Sequence, residues 1–163
     1  NPHHPQAMSL LLVRHATAEA GIDDGARPLS DKGRRRFEKV VSALKRLDVK
    51  LDHIVHSPML RAVETAQLMT PLLRDDGTTW VLDLLADLPG ADLFEALEAY
   101  EGDVALVGHQ PQLGRLLAWL VTGRPSSETA FELKKGAVAI LEGTPRPGEV
   151  TLTMLLPPKV ARI

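Results

Sequence analysis

Apolar positions along this chain follow two rhythms, one of strands and one of helices. Leu10-Leu11-Leu12-Val13 is an unbroken apolar run, the pattern of a strand covered on both faces, as in a parallel sheet. After a loop over 17–29, Phe37, Val40, Val41, Leu44 and Leu47 recur at helical spacing behind Ser30. That spacing, with serine as N-cap, predicts a helix over Asp31–Arg46. A second strand, His53-Ile54-Val55-His56, leads into Ser57-Pro58. Serine at an N-cap with proline at the first helical position predicts a helix start there, and Leu68, Met69, Leu72 and Leu73 continue its apolar face. Asp75-Asp76-Gly77 reads as a turn, 79–82 as a third strand and 92–100 as a short helix. A fourth apolar strand covers 103–107, and a helix over 111–121 places Leu113, Leu116, Leu117 and Leu120 on one face. Strands over 136–141 and 149–155 flank a turn-rich segment rich in Gly and Pro. The predicted fold class is α/β: a three-layer sandwich with a mostly parallel central sheet, helices on both faces and a C-terminal antiparallel hairpin.

Composition narrows this picture without redirecting it. The 163 residues, 44% hydrophobic and 25% charged, suit one soluble domain, here expected over 8–163. Residues 1–7 are polar and read as a remnant left by an expression vector before a natural start at Met8. The adjacent His3 and His4 on that end supply no rigid metal geometry. A net charge of −2 offers no general attraction to nucleic acid or to an anionic membrane. No apolar run is long enough to span a bilayer and no secretory core opens the chain, so a cytoplasmic location is expected. Zero cysteines exclude disulfides, thiolate catalysis and cysteine-based metal sites. One local feature stands out from the weak net charge. The outward side of the first helix carries Lys32, Arg34, Arg35, Arg36 and Lys39; such a run is usually a solvated face, and docking of an acidic partner protein is the sharper reading.

Candidate chemistry gathers where strands end. Arg14 and His15 follow the first strand directly, and ligands in open α/β sheets bind beyond the carboxyl ends of strands. His109 repeats that placement after the fourth strand, just before Pro111. Arg61 falls on the first turn of the helix after Ser57-Pro58, where a cation opposes the helix dipole by ~0.3–1 kcal/mol. An ion pair with Glu64 would explain Arg61; so would an anion held jointly by the backbone N–H groups, the dipole and the guanidinium. Two histidines and two arginines on one sheet edge have the parts for phosphoryl transfer, with an imidazole attacking phosphorus and cations neutralising its oxygens. None of them forms a metal cage, and no metal or other cofactor is expected.

Leu12-Val13-Arg14-His15-Ala16, Arg27-Pro28-Leu29-Ser30-x-x-Gly33, Ser57-Pro58-x-x-Arg61-Ala62-x-x-Thr65-Ala66 and Val107-Gly108-His109-Gln110-Pro111 together resemble the histidine phosphatase superfamily, across residues 9–155. The fold implied is phosphoglycerate mutase-like. The short length and the Arg-His-Ala and Arg-Pro-Leu-Ser versions look like the SixA-type phosphohistidine phosphatases. The resemblance implies that His15 is a nucleophile that becomes transiently phosphorylated, and that Arg14, Arg61 and His109 hold the phosphoryl oxygens. Ala16 departs from the glycine of many relatives. The proton-donating glutamate of the larger relatives has only Asp87 as a positional match, and a plain loop carboxylate is the competing reading of that residue. An alkoxide leaving group needs a positioned acid worth ~10²–10⁴-fold, whereas an imidazole, with a conjugate acid near pKa ~6.5, leaves without one. The expected substrate is therefore phosphohistidine on a signalling or carrier protein. A small sugar or nucleotide phosphate on the same site is the alternative, and a module that binds phosphoprotein without hydrolysis is a third reading.

Overall fold

The computed structural model describes residues 8–125 and 131–162; residues 1–7, read above as a vector remnant, lie outside the described residues. Six strands form one sheet: β1 (Met8–Arg14), β2 (Leu51–His56), β3 (Leu73–Val81), β4 (Val104–Gly108), β5 (Val138–Gly143) and β6 (Val150–Leu156). Their order is β3-β2-β4-β1-β5-β6. β1 is parallel to β4, and β2 is parallel to both β3 and β4. The closing hairpin is antiparallel, β5 against β1 and β6 against β5. The fold is α/β, as the alternation of periods predicts.

Burial on both faces explains the unbroken apolar run. Leu11 and Val13 of β1 pack with Phe37, Val40 and Leu44 of α1 (Asp31–Arg46) and with Ala62 and Ala66 of α2 (Leu60–Leu68). Leu10 and Leu12 point the other way, into a second cluster. It holds Leu93 and Leu97 of α3 (Ala91–Leu97) and Leu113, Leu116 and Leu117 of α4 (Gln112–Thr122). Successive side chains of a strand face opposite ways, so a strand with helices on both sides must be apolar throughout.

Three local expectations need correction. Ser57-Pro58 does not start the second helix: α2 begins at Leu60 with Met59 at the N-cap. The serine hydroxyl is engaged elsewhere, as described below. That helix also stops at Leu68, and Pro71 lies in a separate 3-10 turn, Thr70–Leu72, whose Leu72 stays buried. Asp75-Asp76-Gly77 is not a turn between elements but lies inside β3. Pairing with β2 jumps from Leu51↔Leu73 to His53↔Thr78, so the Asp-Asp-Gly stretch is absorbed as a bulge rather than as a connection.

Candidate active site

Register decides which residues meet. Val13 pairs with Val107 and Arg14 with Gly108, so β1 and β4 end side by side. One residue further on, His15 N–H donates to the Gly108 carbonyl at 3.0 Å. The His15 and His109 rings lie 5.2 Å apart between centroids, inclined at 54°. β2 flanks β4 on its other side, and Ser57 N–H donates to the Val107 carbonyl. Three strand ends thus lie abreast, carrying Arg14-His15, Ser57 and His109. The loop that returns to β5 closes against them: Gly136 N–H donates to the carbonyls of both Arg14 and His15 at 3.0 Å. At φ 81° Gly136 adopts a left-handed conformation that a side chain would strain.

Both histidine rings are buried, and each is oriented by a hydrogen bond. His15 Nδ1 lies 2.7 Å from the Ala16 carbonyl. A carbonyl only accepts, so Nδ1 carries the proton and the lone pair of the neutral ring sits on Nε2. Burial pulls the His15 pKa down to about 3, and the charges of His109, Arg61 and Arg14 add to that, against the opposing pull of the Ala16 hydrogen bond. His109 is lowered to about 4, first by burial and then by Arg61, with Asp24 opposing. Both rings are therefore neutral near pH 7. Ser57 Oγ stands 2.6 Å from His109 Nε2 and also accepts the Met59 N–H. That is the engagement that takes Ser57 away from capping a helix.

The two arginines reach the same edge from different elements. Arg14, the last residue of β1, donates from Nη1 to the Leu133 carbonyl at 2.9 Å. Burial lowers its pKa while Glu132 pulls the other way. Arg61, buried on the first turn of α2, donates from Nη1 to the Asp24 carbonyl at 2.7 Å and pairs from Nη2 with the Asp24 carboxylate at 3.2 Å. Its predicted alternative partner is engaged elsewhere: Glu64 accepts the Leu29 N–H and pairs with Arg34. Thr65 couples α2 to the turn after β1, donating to the Arg61 carbonyl and accepting the Ala16 N–H. Among the described residues Arg14 Nε, Arg61 Nε and His109 Nδ1 are buried without a hydrogen-bond partner. Leaving such groups unsatisfied costs roughly 1–3 kcal/mol each. Three orphaned polar atoms on one cationic edge suit an oxyanion.

Asp87 is placed differently. It follows a 3-10 turn, Asp83–Ala86, that lies over the end of β4, where Gln112 Nε2 donates to the Ala86 carbonyl. Asp87 itself is exposed and makes no side-chain hydrogen bond to the four candidates among the described residues. No group of three or more His, Asp or Glu among the described residues could hold a metal ion. Sequence reasoning missed Asp24, Leu133 and the role of Ser57. Asp24 is one of three acids in the 17–29 loop, and its pairing with both Arg27 and Arg61 distinguishes it.

A sequence model of the histidine phosphatase superfamily (branch 1) matches residues 10–82. An uncharacterized protein of Picosynechococcus sp. is 31% identical over 147 residues, 85% of this chain and 88% of that protein. The chain belongs to the histidine phosphatase superfamily. Among solved structures, the protein histidine phosphatase SixA complexed with tungstate superposes with a TM-score of 0.79 at 24% identity, over 94% of this chain and 99% of that one. Alpha-ribazole phosphatase from Shigella flexneri superposes with a TM-score of 0.71 at 20% identity, over 93% and 97%. At these identities the superpositions speak for a shared fold. No helix among the described residues is long and apolar enough to cross a membrane.

Proposed function

We propose that this chain is a phosphatase whose nucleophile is His15 and whose substrate is phosphohistidine on another protein. The observation that carries this reading is the Nδ1–H bond to the Ala16 carbonyl, which leaves the Nε2 lone pair on a neutral imidazole. Nε2 attacks phosphorus, and the bond from phosphorus to the substrate imidazole, protonated on its far ring nitrogen, breaks with its electron pair leaving on the near nitrogen, so that a neutral imidazole departs. Water then attacks the phosphoryl group on His15, returns the pair to Nε2 and releases inorganic phosphate. Arg14 and Arg61 hold the phosphoryl oxygens through fixed positive charge. A Ser57 hydroxyl that donates to His109 Nε2, 2.6 Å away, would put the ring proton on the unpartnered Nδ1 and make His109 a third donor to them.

The substrate class follows from the leaving group. Oxygen leaving groups need a positioned acid, while an imidazole protonated on its far nitrogen, with a pKa of ~6.5, carries its own proton and does not. Asp87 is the candidate acid for oxygen esters, and its exposed position, with no side-chain hydrogen bond to the four candidates among the described residues, suits a dispensable role. The fold shared with SixA, a protein histidine phosphatase that holds tungstate, supports the same reading. The fold shared with alpha-ribazole phosphatase supports a second one, a small-molecule phosphate ester.

Rapid quenching without acid after mixing with radiolabelled phosphohistidine protein tests the assignment. Label on His15, lost together with turnover in His15→Ala, is expected; wild-type turnover by His15→Ala would overturn it. Faster turnover of sugar phosphates than of phosphohistidine protein would select the second reading.

A further inference from the structure

The basic run on α1 is not spread evenly around the helix. At about 100° per residue, Lys32, Arg35, Arg36 and Lys39 stand at i, i+3, i+4 and i+7 and form one stripe. Phe37, Val40, Val41 and Leu44 face the sheet from the far side. The helix does make ion pairs when an acid is in reach: Arg34, off the stripe, is held by Glu64. The acids of the helix, Asp31 and Glu38, stand four residues before and three after Arg35, on the edge of the stripe away from Arg36, and neither forms an ion pair with it among the described residues. Among the described residues, none of the four stripe cations is in an ion pair. Like charges at i and i+4 repel, so the stripe works against helix stability.

The stripe also lies beside the candidate site. Arg36 lines a small cavity of about 70 Å³ with Lys135 and Arg162, and its floor includes Ala16 and Thr17. Ala16 is the residue whose carbonyl holds the His15 ring. Lys135 precedes Gly136, whose N–H binds the Arg14 and His15 carbonyls. Arg162 comes from the 3-10 turn Pro158–Arg162 packed on α1. Arg36 therefore joins the α1 stripe to a second basic group, Lys135 and Arg162, against a net charge of −2 for the whole chain. That basic surface begins at the turn bearing the nucleophile.

We propose that Lys32, Arg35, Arg36, Lys39, Lys135 and Arg162 form a docking surface for an acidic face of the phosphoprotein substrate. The inference rests on the phosphoprotein reading above. Charge complementarity selects the occupant: a partner surface rich in Asp and Glu is steered to the stripe and delivers its phosphorylated side chain to the adjacent edge. A free small phosphate cannot touch both places.

The test uses the full chain with an acidic phosphotransfer protein phosphorylated by phosphoramidate, and with p-nitrophenyl phosphate as the small probe. Lys32→Glu/Arg35→Glu/Lys39→Glu should raise KM for the acidic phosphoprotein on the order of tenfold. It should leave kcat on that protein and turnover of p-nitrophenyl phosphate unchanged. The Gln triple variant should fall between, and its retained small-probe turnover reports an intact fold. Salt of about 0.5 M should weaken wild type towards the variant. A phosphoprotein KM within twofold of wild type in both triple variants overturns docking while leaving the phosphatase reading intact. Loss of binding to phosphatidylserine vesicles in the variants, with KM unchanged, also overturns it and assigns the face to a membrane. No turnover of any phosphohistidine protein by wild type, with p-nitrophenyl phosphate cleaved, removes both the substrate class and its docking surface.

Discussion

His15 and His109 differ from surface histidines in being neutral by construction. Their pKa values of about 3 and 4 arise first from burial and then from neighbouring cations. A ring ready to attack phosphorus must carry a lone pair, and protonation would remove it. The C2–H signals of both rings should therefore stay flat in NMR spectra between about pH 5.5 and 8; a titration centred near the ordinary ~6.5 would contradict the burial argument. Arg61 poses a different question, since its Nη groups are shared with Asp24 while Nε is orphaned. Lysine keeps the charge and loses the planar fork that spans two phosphoryl oxygens. Arg61→Lys should lower kcat/KM at least ~tenfold, about 1.4 kcal/mol of transition-state binding. Near wild-type kinetics would reduce Arg61 to the partner of Asp24.

The loop over 17–29 and α1 behave as one element, because the helix N-terminus is pressed against the loop that follows His15. Thr17 carbonyl accepts from both Ser30 N–H and Ser30 Oγ, and Ser30 Oγ caps Gly33 N–H. A Cβ on Gly33 would meet the Thr17 carbonyl oxygen far inside contact distance, against backbone that cannot swing aside. Gly33→Ala should destabilise the protein by ~1–3 kcal/mol, as over-packed sites do. Its denaturant midpoint should drop, and KM should rise as the strained loop moves Asp24 against Arg61. An unchanged midpoint would show that the loop yields freely. Ser57 teaches a related lesson about α2: a residue suited to an N-cap serves another hydrogen bond when tertiary neighbours offer one.

At the scale of the molecule, the parallel packing of β1 against β4 stores a pH dependence. In the unfolded chain both histidines return to pKa ~6.5. Between that value and the folded values of about 4 and 3, the unfolded state binds more protons, so stability rises with pH through this window. The contribution is complete above ~6.5 and is lost as pH falls through the folded values. Denaturant melts of wild type, His15→Gln and His109→Gln between pH 4 and 7 should diverge, the wild type losing more stability on acidification. Parallel curves would mean that the two rings titrate alike in both states. The opposite end of the sheet carries a separate tie: Arg74 bridges Asp52 and Asp103 at 2.9 Å each, holding β2, β3 and the start of β4 together well away from the chemistry.

Short-range pattern by itself determined the central elements: apolar runs set β1 and β4, and the 3.6-residue rhythm behind Ser30 set the helix Asp31–Arg46, whereas β3 and the ends of α2 escaped it. It also determined which residue types stand at strand ends, because a strand buried on both faces must stop where Arg14 or His109 begins to be useful. Pairing partners were decided only by the tertiary structure. Neither the Leu10–Val13 run nor 103–107 says that the two strands are neighbours in register, yet that neighbourhood alone places His15 beside His109. Arg61 found Asp24, 37 positions away, and Glu64 turned to Arg34, because the helix and loop faces that meet are chosen by packing. Periodicity records which side of an element is apolar; it holds no information on distances between residues far apart in the chain, and those distances build the site.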